Sequence, residues 1–269
     1  MKNTLKRELP PALKRAVDRL YAVFSNYRAP SHCLNVCLMC CMDEALEKEM
    51  RQLPLRQITA RHFYEYNCSA KDVPQPPREI KYLLPRMLEL LAFGAELHHS
   101  RAIYLSRLGN CETGAFSSEE HEAIAAFALA YFSDRLGQHP WQSGEAEGYG
   151  SDEIFECLLM LEIGGVDLQP LLDYWLKDES TAATLHYVSA GFYDFWQQEQ
   201  RIDNAFGKDR LQFQELMKTW LTDDGHRRTF AQRILDLEMN NFDQTPTCYY
   251  GNQITPQYMA ETVFDLITY

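Results

Sequence analysis

Four of the eight cysteines lie within nine residues, between Cys33 and Cys41. Cys33, Cys37 and Cys40 are spaced C-x3-C-x2-C, and Cys41 follows the third directly. Thiolates at such short spacing can converge on a zinc ion or on an iron–sulfur cluster such as 4Fe–4S, because both take soft sulfur ligands. These four cysteines are therefore the predicted metal ligands, with the neighbouring His32 as a substitute for the fourth. No other cofactor is predicted.

The same segment has a second interpretation, as ordinary packing. A helix would place Cys33, Cys37 and Cys40 on one face, and free cysteine packs well as a small apolar residue. Both interpretations stay open at this point. A dithiol redox role for Cys37 and Cys40 is less favoured, because a thioredoxin-like site requires a βαβ context that the sequence pattern does not indicate.

The triplet spacing also resembles that of radical-SAM enzymes, but at those three positions only. Met39 stands directly before Cys40, where that family has an aromatic residue. The chain also lacks the alternation of strand and helix patterns that builds a partial barrel. The sequence therefore argues against this class of enzyme.

Other catalytic motifs are incomplete. His98 and His99 fall in a predicted long helix, where neighbouring residues point to different faces and chelate poorly. Gly207-Lys208 lacks the remainder of a phosphate-binding loop. A G-x-S-x-G nucleophile elbow does not occur in the sequence. We therefore expect a protein that is not an enzyme.

Composition sets limits on the partners of the chain. Of its 269 residues, 46% are hydrophobic and 24% charged, which suffices for a substantial core. The formal net charge of −12 disfavours nucleic acid and anionic membranes, but is compatible with a basic protein partner. Neither an export signal nor a membrane-spanning run is apparent, so we expect a cytoplasmic protein with reduced thiols. The oligomeric state is left open.

Helical periodicity predicts the elements that must position the cysteines. Apolar residues recur at three- to four-residue spacing over 9–24. Capped helices are predicted over 43–53 and 59–64, and the proline-rich stretch 73–77 breaks the chain. A long helix is then predicted over 84–102.

The second half of the chain follows the same pattern. Ser117 and Glu120 form a capping box before an apolar run, and Ser151 is expected to cap a helix that stops at Gly164-Gly165. The predicted fold class is all-α, as an irregular helical bundle or a short HEAT-like array of helical hairpins. One domain is predicted over 1–269, with the cysteine cluster in its N-terminal part and any subdivision near 137–150.

A weak internal repeat underlies the array alternative. Tyr131–Asp134, Trp175–Asp178 and Trp220–Asp223 share the order aromatic, apolar, polar, Asp, at intervals of 44 and 45 residues. Each copy is expected to end a helix, and the interval fits two-helix repeats that stack into a solenoid. The alternative is chance recurrence of aromatic residues near helix ends.

Four stretches resemble a poorly characterised group of bacterial cytosolic helical proteins: 37–42, 79–86, 164–168 and 171–175. Some members of that group are immunity proteins of Rhs-type polymorphic toxins. The resemblance implies a protein that binds a cognate toxin domain and occludes its active site, and acidic charge would speed the capture of a basic toxin. The alternative function is an iron–sulfur or zinc protein with a redox, sensing or structural role.

Overall fold

The computed structural model describes residues 8–140, 153–238, 244, 246–249 and 252–268. Within them, the regular structure consists of twelve α-helices, three short helical turns and one hairpin. This confirms the all-α fold class. None of the helices in the described ranges is both long and apolar enough to cross a bilayer.

The bounds of these elements follow in chain order. The helices are α1 (Pro11–Val23), α2 (Glu44–Gln52), α3 (Ala60–Cys68), α4 (Pro77–Ala92), α5 (Ser106–Gly109), α6 (Ser118–Leu136), α7 (Glu153–Ile163), α8 (Gln169–Lys177), α9 (Thr181–Gly191), α10 (Leu211–Thr222), α11 (Asp224–Leu235) and α12 (Pro256–Thr268). The short turns are 3-10 at Leu55–Gln57 and Arg101–Ile103, and π-helical at Phe192–Trp196. Strands β1 (Thr247–Tyr249) and β2 (Asn252–Ile254) pair antiparallel.

The predicted starts of α2 and α3 are confirmed by their caps. The Asp43 carboxylate accepts hydrogen bonds from the backbone of Ala45 at 2.9 Å and of Leu46 at 3.1 Å. Thr59 caps α3 in a reciprocal arrangement with His62. Both caps satisfy N–H groups that the first helical turn leaves without partners.

The prediction of a helix over 84–102 is wrong beyond Ala92. Gly94 adopts a φ of +78°, and its N–H donates to the Leu91 carbonyl at 2.9 Å, while Ala95 N–H donates to Leu90 at 3.0 Å. This left-handed glycine ends α4, because glycine carries no Cβ that would disfavour the conformation. The chain from 95 to 100 therefore leaves the helix axis.

The capping box predicted for α6 is confirmed. Ser117 N–H donates to the Glu120 carboxylate at 2.7 Å, and Glu120 N–H donates to Ser117 Oγ at 3.3 Å. Helix α7 ends before Gly164-Gly165, as predicted. The predicted cap Ser151, and most of the predicted boundary at 137–150, lie outside the described residues.

Contacts between Cα atoms group the chain into two compact units. Unit 1 comprises 1–131 and 160–167, and unit 2 comprises 132–159 and 168–269. All four predicted metal ligands belong to unit 1. The prediction of one domain over 1–269 stays a prediction.

Unit 2 has an aromatic core that accounts for part of the sequence repeat. Trp175 and Trp220 lie near the ends of α8 and α10, as predicted, with ring centroids 5.1 Å apart. Tyr131, in the first copy, lies inside α6 instead of at its end. The two tryptophans recur because both fill one core, and the three copies do not all mark helix ends.

Candidate metal centre

The cysteine-rich segment between α1 and α2 is a series of turns. The helical packing interpretation is therefore wrong: Cys33 and Cys40 are exposed, and Cys37 and Cys41 are half-buried. The apolar residues that anchor the segment are Leu34 and Met42, which are 3% and 2% exposed. Burial of these two leaves the thiols between them near the surface. We call residues 33–42 the cysteine loop.

Three sulfur atoms of the cysteine loop lie together. Cys37 Sγ is 3.6 Å from Cys40 Sγ, which is 3.4 Å from Cys41 Sγ. All three atoms are within 4.8 Å of one another. In tetrahedral coordination with Zn–S bonds of about 2.3 Å, two sulfur ligands stand about 3.8 Å apart. The observed spacing thus suits three ligands of one metal ion. We call these residues the three-thiol site.

Cys33, the fourth predicted ligand, is not part of this group. Its exposed thiol lies beside Glu47 on α2, and the pKa of the thiol is raised, first by partial burial and then by that carboxylate. A negative neighbour opposes formation of the thiolate that a metal needs. The predicted substitute, His32, is exposed and also lies outside the group.

The surroundings of the three-thiol site shift the pKa values of Cys37 and Cys40 in opposite directions. The N–H groups of Cys40 and Met39 donate to the sulfur of Cys37 and lower the pKa of Cys37. The pKa of Cys40 is raised to about 11, because its thiol hydrogen-bonds to the sulfurs of Cys41 and Cys37 and a thiolate there would be repelled by them. The surroundings thus favour the thiolate form of Cys37 and the protonated form of Cys40.

Hydrogen bonds from the segment after α3 hold the cysteine loop. Cys37 N–H donates both to the Ala70 carbonyl at 2.9 Å and to Ser69 Oγ at 2.8 Å. The Asn35 amide donates to the Asp72 carbonyl at 2.9 Å and accepts from the Asp72 N–H at 2.9 Å. These hydrogen bonds fix the loop backbone against the segment 69–72.

A buried arginine also holds the backbone of the cysteine loop. Arg107, which is 0% exposed, donates to the backbone carbonyls of Asn35 at 2.8 Å and Ser69 at 3.3 Å. It also donates to the Tyr66 carbonyl and lies over the Tyr66 ring, 3.8 Å from the centroid. Burial lowers the pKa of Arg107, although a guanidinium stays charged in proteins. A hydrogen-bond network that contains the Glu79 carboxylate balances the positive charge of Arg107.

Glu79 is the carboxylate of that network. It accepts from the Tyr66 hydroxyl at 2.6 Å, from Gln75 Nε2 at 2.9 Å and from the Asn35 N–H at 3.0 Å. Gln75 in turn accepts from Arg107 at 3.0 Å. Since buried polar groups are costly without partners, this chain of bonds fixes one position for the start of the cysteine loop.

A second group of ligand atoms was missed by the sequence interpretation. Cys68, His98 and His99 offer atoms within 4.8 Å of one another, and Cys68 Sγ is 3.8 Å from His99 Nδ1. The histidine pair was discounted because a helix was predicted there. The glycine at position 94, which ends α4, was the signal that could have found it.

The electrostatic state of His98 suits a ligand. Its pKa is lowered to about 4, first by burial and then by the neighbouring charges of His99, Lys71 and Arg107. The imidazole is therefore neutral at physiological pH, which is the form that binds metals.

The chain was compared with protein-family models, with curated proteins and with solved structures, and none of these comparisons finds a match.

Proposed function

We propose that the chain binds one thiophilic metal ion, with Zn²⁺ as the first choice, reversibly through the thiolates of Cys37, Cys40 and Cys41. The observation that carries this proposal is the mutual spacing of the three sulfurs, 3.6 and 3.4 Å along the group. Thiolates are the ligands that Zn²⁺ and Cu⁺ favour in proteins.

The same spacing supports a single ion over an iron–sulfur cluster. In a 4Fe–4S cluster each thiolate binds a different iron atom, so the sulfurs stand much farther apart than ligands that share one ion. The three sulfurs of the cysteine loop have the separation of ligands on one centre. The spacing of the sulfurs therefore favours a zinc ion over an iron–sulfur cluster.

Two features support exchange of the ion over a purely structural role. Three protein ligands leave a coordination position for water or for a ligand from a partner, whereas structural zinc sites are closed by four. Hydrogen bonds to Ser69, Ala70 and Asp72 anchor the loop backbone. An anchored loop whose thiols lie near the surface suits loading and release of an ion, as metal sensing or delivery requires.

The test is a titration of the reduced protein with Co²⁺ under anaerobic conditions, followed by competition with Zn²⁺. Thiolate ligands give a near-ultraviolet sulfur-to-cobalt band whose intensity reports their number. Cys40→Ser should weaken this band and lower the affinity, whereas Cys33→Ser, in the same loop, should change neither. A wild-type protein that binds no ion, or equal losses in the two variants, would overturn the proposal.

Immunity toward a cognate toxin is the second candidate function, favoured by the formal net charge of −12. An acidic surface complements a basic toxin domain and speeds its capture. The test is growth of a bacterial host that expresses the gene immediately upstream, with and without this chain. Rescue of growth together with binding of the purified proteins would support it, and absence of both would end it. Neither candidate requires an enzyme, and a cytoplasmic location stays a prediction.

A further inference from the structure

The second group of ligand atoms joins two segments of unit 1 that are distant in sequence. Cys68 is the last residue of α3, and His98 and His99 lie in the segment that follows α4. Cys68 Sγ faces His99 Nδ1 at 3.8 Å across a separation of 31 residues. One thiol and two imidazoles, each offering an atom within 4.8 Å of the others, form a compact donor set.

The geometry of the two histidines is unusual for sequence neighbours. Adjacent side chains generally diverge, yet the His98 and His99 rings lie with centroids 4.0 Å apart, inclined by 49°. His98 is buried, whereas His99 is exposed. The two rings therefore both present a nitrogen to the sulfur of Cys68 and to each other, within 4.8 Å.

The surrounding hydrogen bonds hold the donors in place. Asn67, which precedes Cys68, donates through Nδ2 to the Leu97 carbonyl at 2.9 Å. Leu97 in turn precedes His98, so this buried bond ties the two ligand-bearing segments together. The Ser100 N–H donates to His98 Nδ1 at 3.4 Å. The Asn67 bond fixes the backbone next to both ligand-bearing segments, whereas the Ser100 bond uses the lone pair of His98 Nδ1 and must break if that nitrogen binds an ion.

We propose that Cys68, His98 and His99 form a second metal site, which binds one divalent ion of the zinc class and leaves a coordination position open. One sulfur and two nitrogens are a borderline donor set, which suits Zn²⁺ or Co²⁺. The site shares no residue with the three-thiol site, so it does not rest on the proposed function. Its side-chain exposure, with His98 inside and His99 outside, gives the ion a path from solvent.

The experiment uses the full chain with Cys37, Cys40 and Cys41 replaced by serine, so that the three-thiol site is absent. The reduced protein is titrated anaerobically with Co²⁺ alone. The expected result is one bound Co²⁺ per chain, with visible tetrahedral bands and a sulfur-to-cobalt band from a single thiolate. Failure of the proposed function would instead show as no difference in cobalt stoichiometry between this variant and the wild type.

Two further substitutions in that background make the result specific. His99→Ala should lower the cobalt affinity by more than about tenfold, the smallest loss typical even of outer-shell partners. Because His99 is exposed, the variant should keep the far-ultraviolet circular dichroism of its parent. Cys68→Ser should remove the sulfur-to-cobalt band, and His121→Ala, an exposed histidine on α6, should have no effect. Absence of stoichiometric cobalt, an unchanged affinity in His99→Ala, or a band that persists in Cys68→Ser would overturn the proposal.

Discussion

The guanidinium of Arg107 donates a hydrogen bond of 2.8 Å to the backbone carbonyl of Asn35, two residues before Cys37. The same guanidinium donates to the carbonyl of Ser69, the residue after Cys68. One buried cation therefore positions the backbone next to both candidate metal sites. Its hydrogen bonds therefore link the backbone beside the cysteine loop to the backbone beside Cys68.

Replacement of this cation should affect stability and metal affinity together. Arg107→Lys keeps the charge but cannot reproduce a fork of donors to several carbonyls. We expect the free energy of unfolding to fall by about 2 kcal/mol, because buried carbonyl groups lose their hydrogen-bond donors. Zinc affinity should fall by about tenfold through the loss of outer-shell support. Chemical denaturation and zinc competition measure the two effects.

The matched control is Arg19→Lys. Arg19 pairs with Glu122 on the surface at 3.1 Å, and exposed pairs contribute less than about 1 kcal/mol. If Arg107→Lys were as stable as Arg19→Lys and bound zinc normally, the supporting role of Arg107 would be refuted.

Glu120 should make stability depend on pH. Burial alone raises the pKa of Glu120, but hydrogen bonds from Lys81 at 2.8 Å, Tyr27 at 2.6 Å and Ser117 at 2.7 Å outweigh it and hold the pKa below its ordinary 4.5. The unfolded chain thus takes up this proton at a higher pH than the folded chain. Its stabilisation is complete above pH 4.5 and is lost as the pH falls through the folded-state pKa.

Glu120→Gln is the corresponding variant. At pH 7 it should lower the free energy of unfolding by about 3 kcal/mol, because it leaves a nearly buried Lys81 without its counter-charge. The difference from wild type should shrink as the pH is lowered below 4.5. Glu122→Gln, on the exposed face of α6, is the control and should show neither effect. A pH-independent difference would argue against the ion pair as its source.

Adding a side chain to Gly94, the left-handed glycine that ends α4, should lower the free energy of unfolding. Gly94→Ala meets no atom within 4 Å of the added Cβ, so its cost comes from the φ of +78° alone. We expect a loss of about 1 kcal/mol in the free energy of unfolding. Gly137→Ala has no such φ and should be tolerated. If the two variants were equally stable, residue 94 would not have the positive φ that ends α4.

Oxidation should switch off the three-thiol site. Cys37 Sγ and Cys40 Sγ are 3.6 Å apart, and a disulfide requires approach to about 2.05 Å. A thiol oxidant such as diamide should join them and release bound zinc, which a chromophoric chelator detects. Dithiothreitol should restore binding. If diamide still releases zinc from the double variant Cys37→Ser/Cys40→Ser, other residues bind that zinc.

Capping residues and cysteine spacing allowed much of unit 1 to be predicted. Asp43 marks the start of α2, because its short side chain reaches N–H groups two and three residues ahead. The grouping of Cys37, Cys40 and Cys41 follows from local spacing in the same way. These features depend on residues that are close in sequence.

Features that depend on distant partners could not be predicted from the sequence. Cys33 lies beside Glu47, on the following helix, and not with the other three cysteines of the loop. The role of Arg107 is set by backbone carbonyls 38 and 72 residues away, which have no sequence signature. The histidine pair was discounted because the helix was predicted to continue to Ala102, although Gly94 was available as a stop signal.

X-ray absorption at the zinc edge counts the sulfur atoms bound to zinc in the three-thiol site. The sample is the reduced chain with His99→Ala, loaded with one equivalent of Zn²⁺, so that the three-thiol site is the one filled. We expect three sulfur ligands at about 2.3 Å and one lighter atom. Zinc that washes out of the protein, or that is retained with fewer than three sulfur ligands, would contradict it.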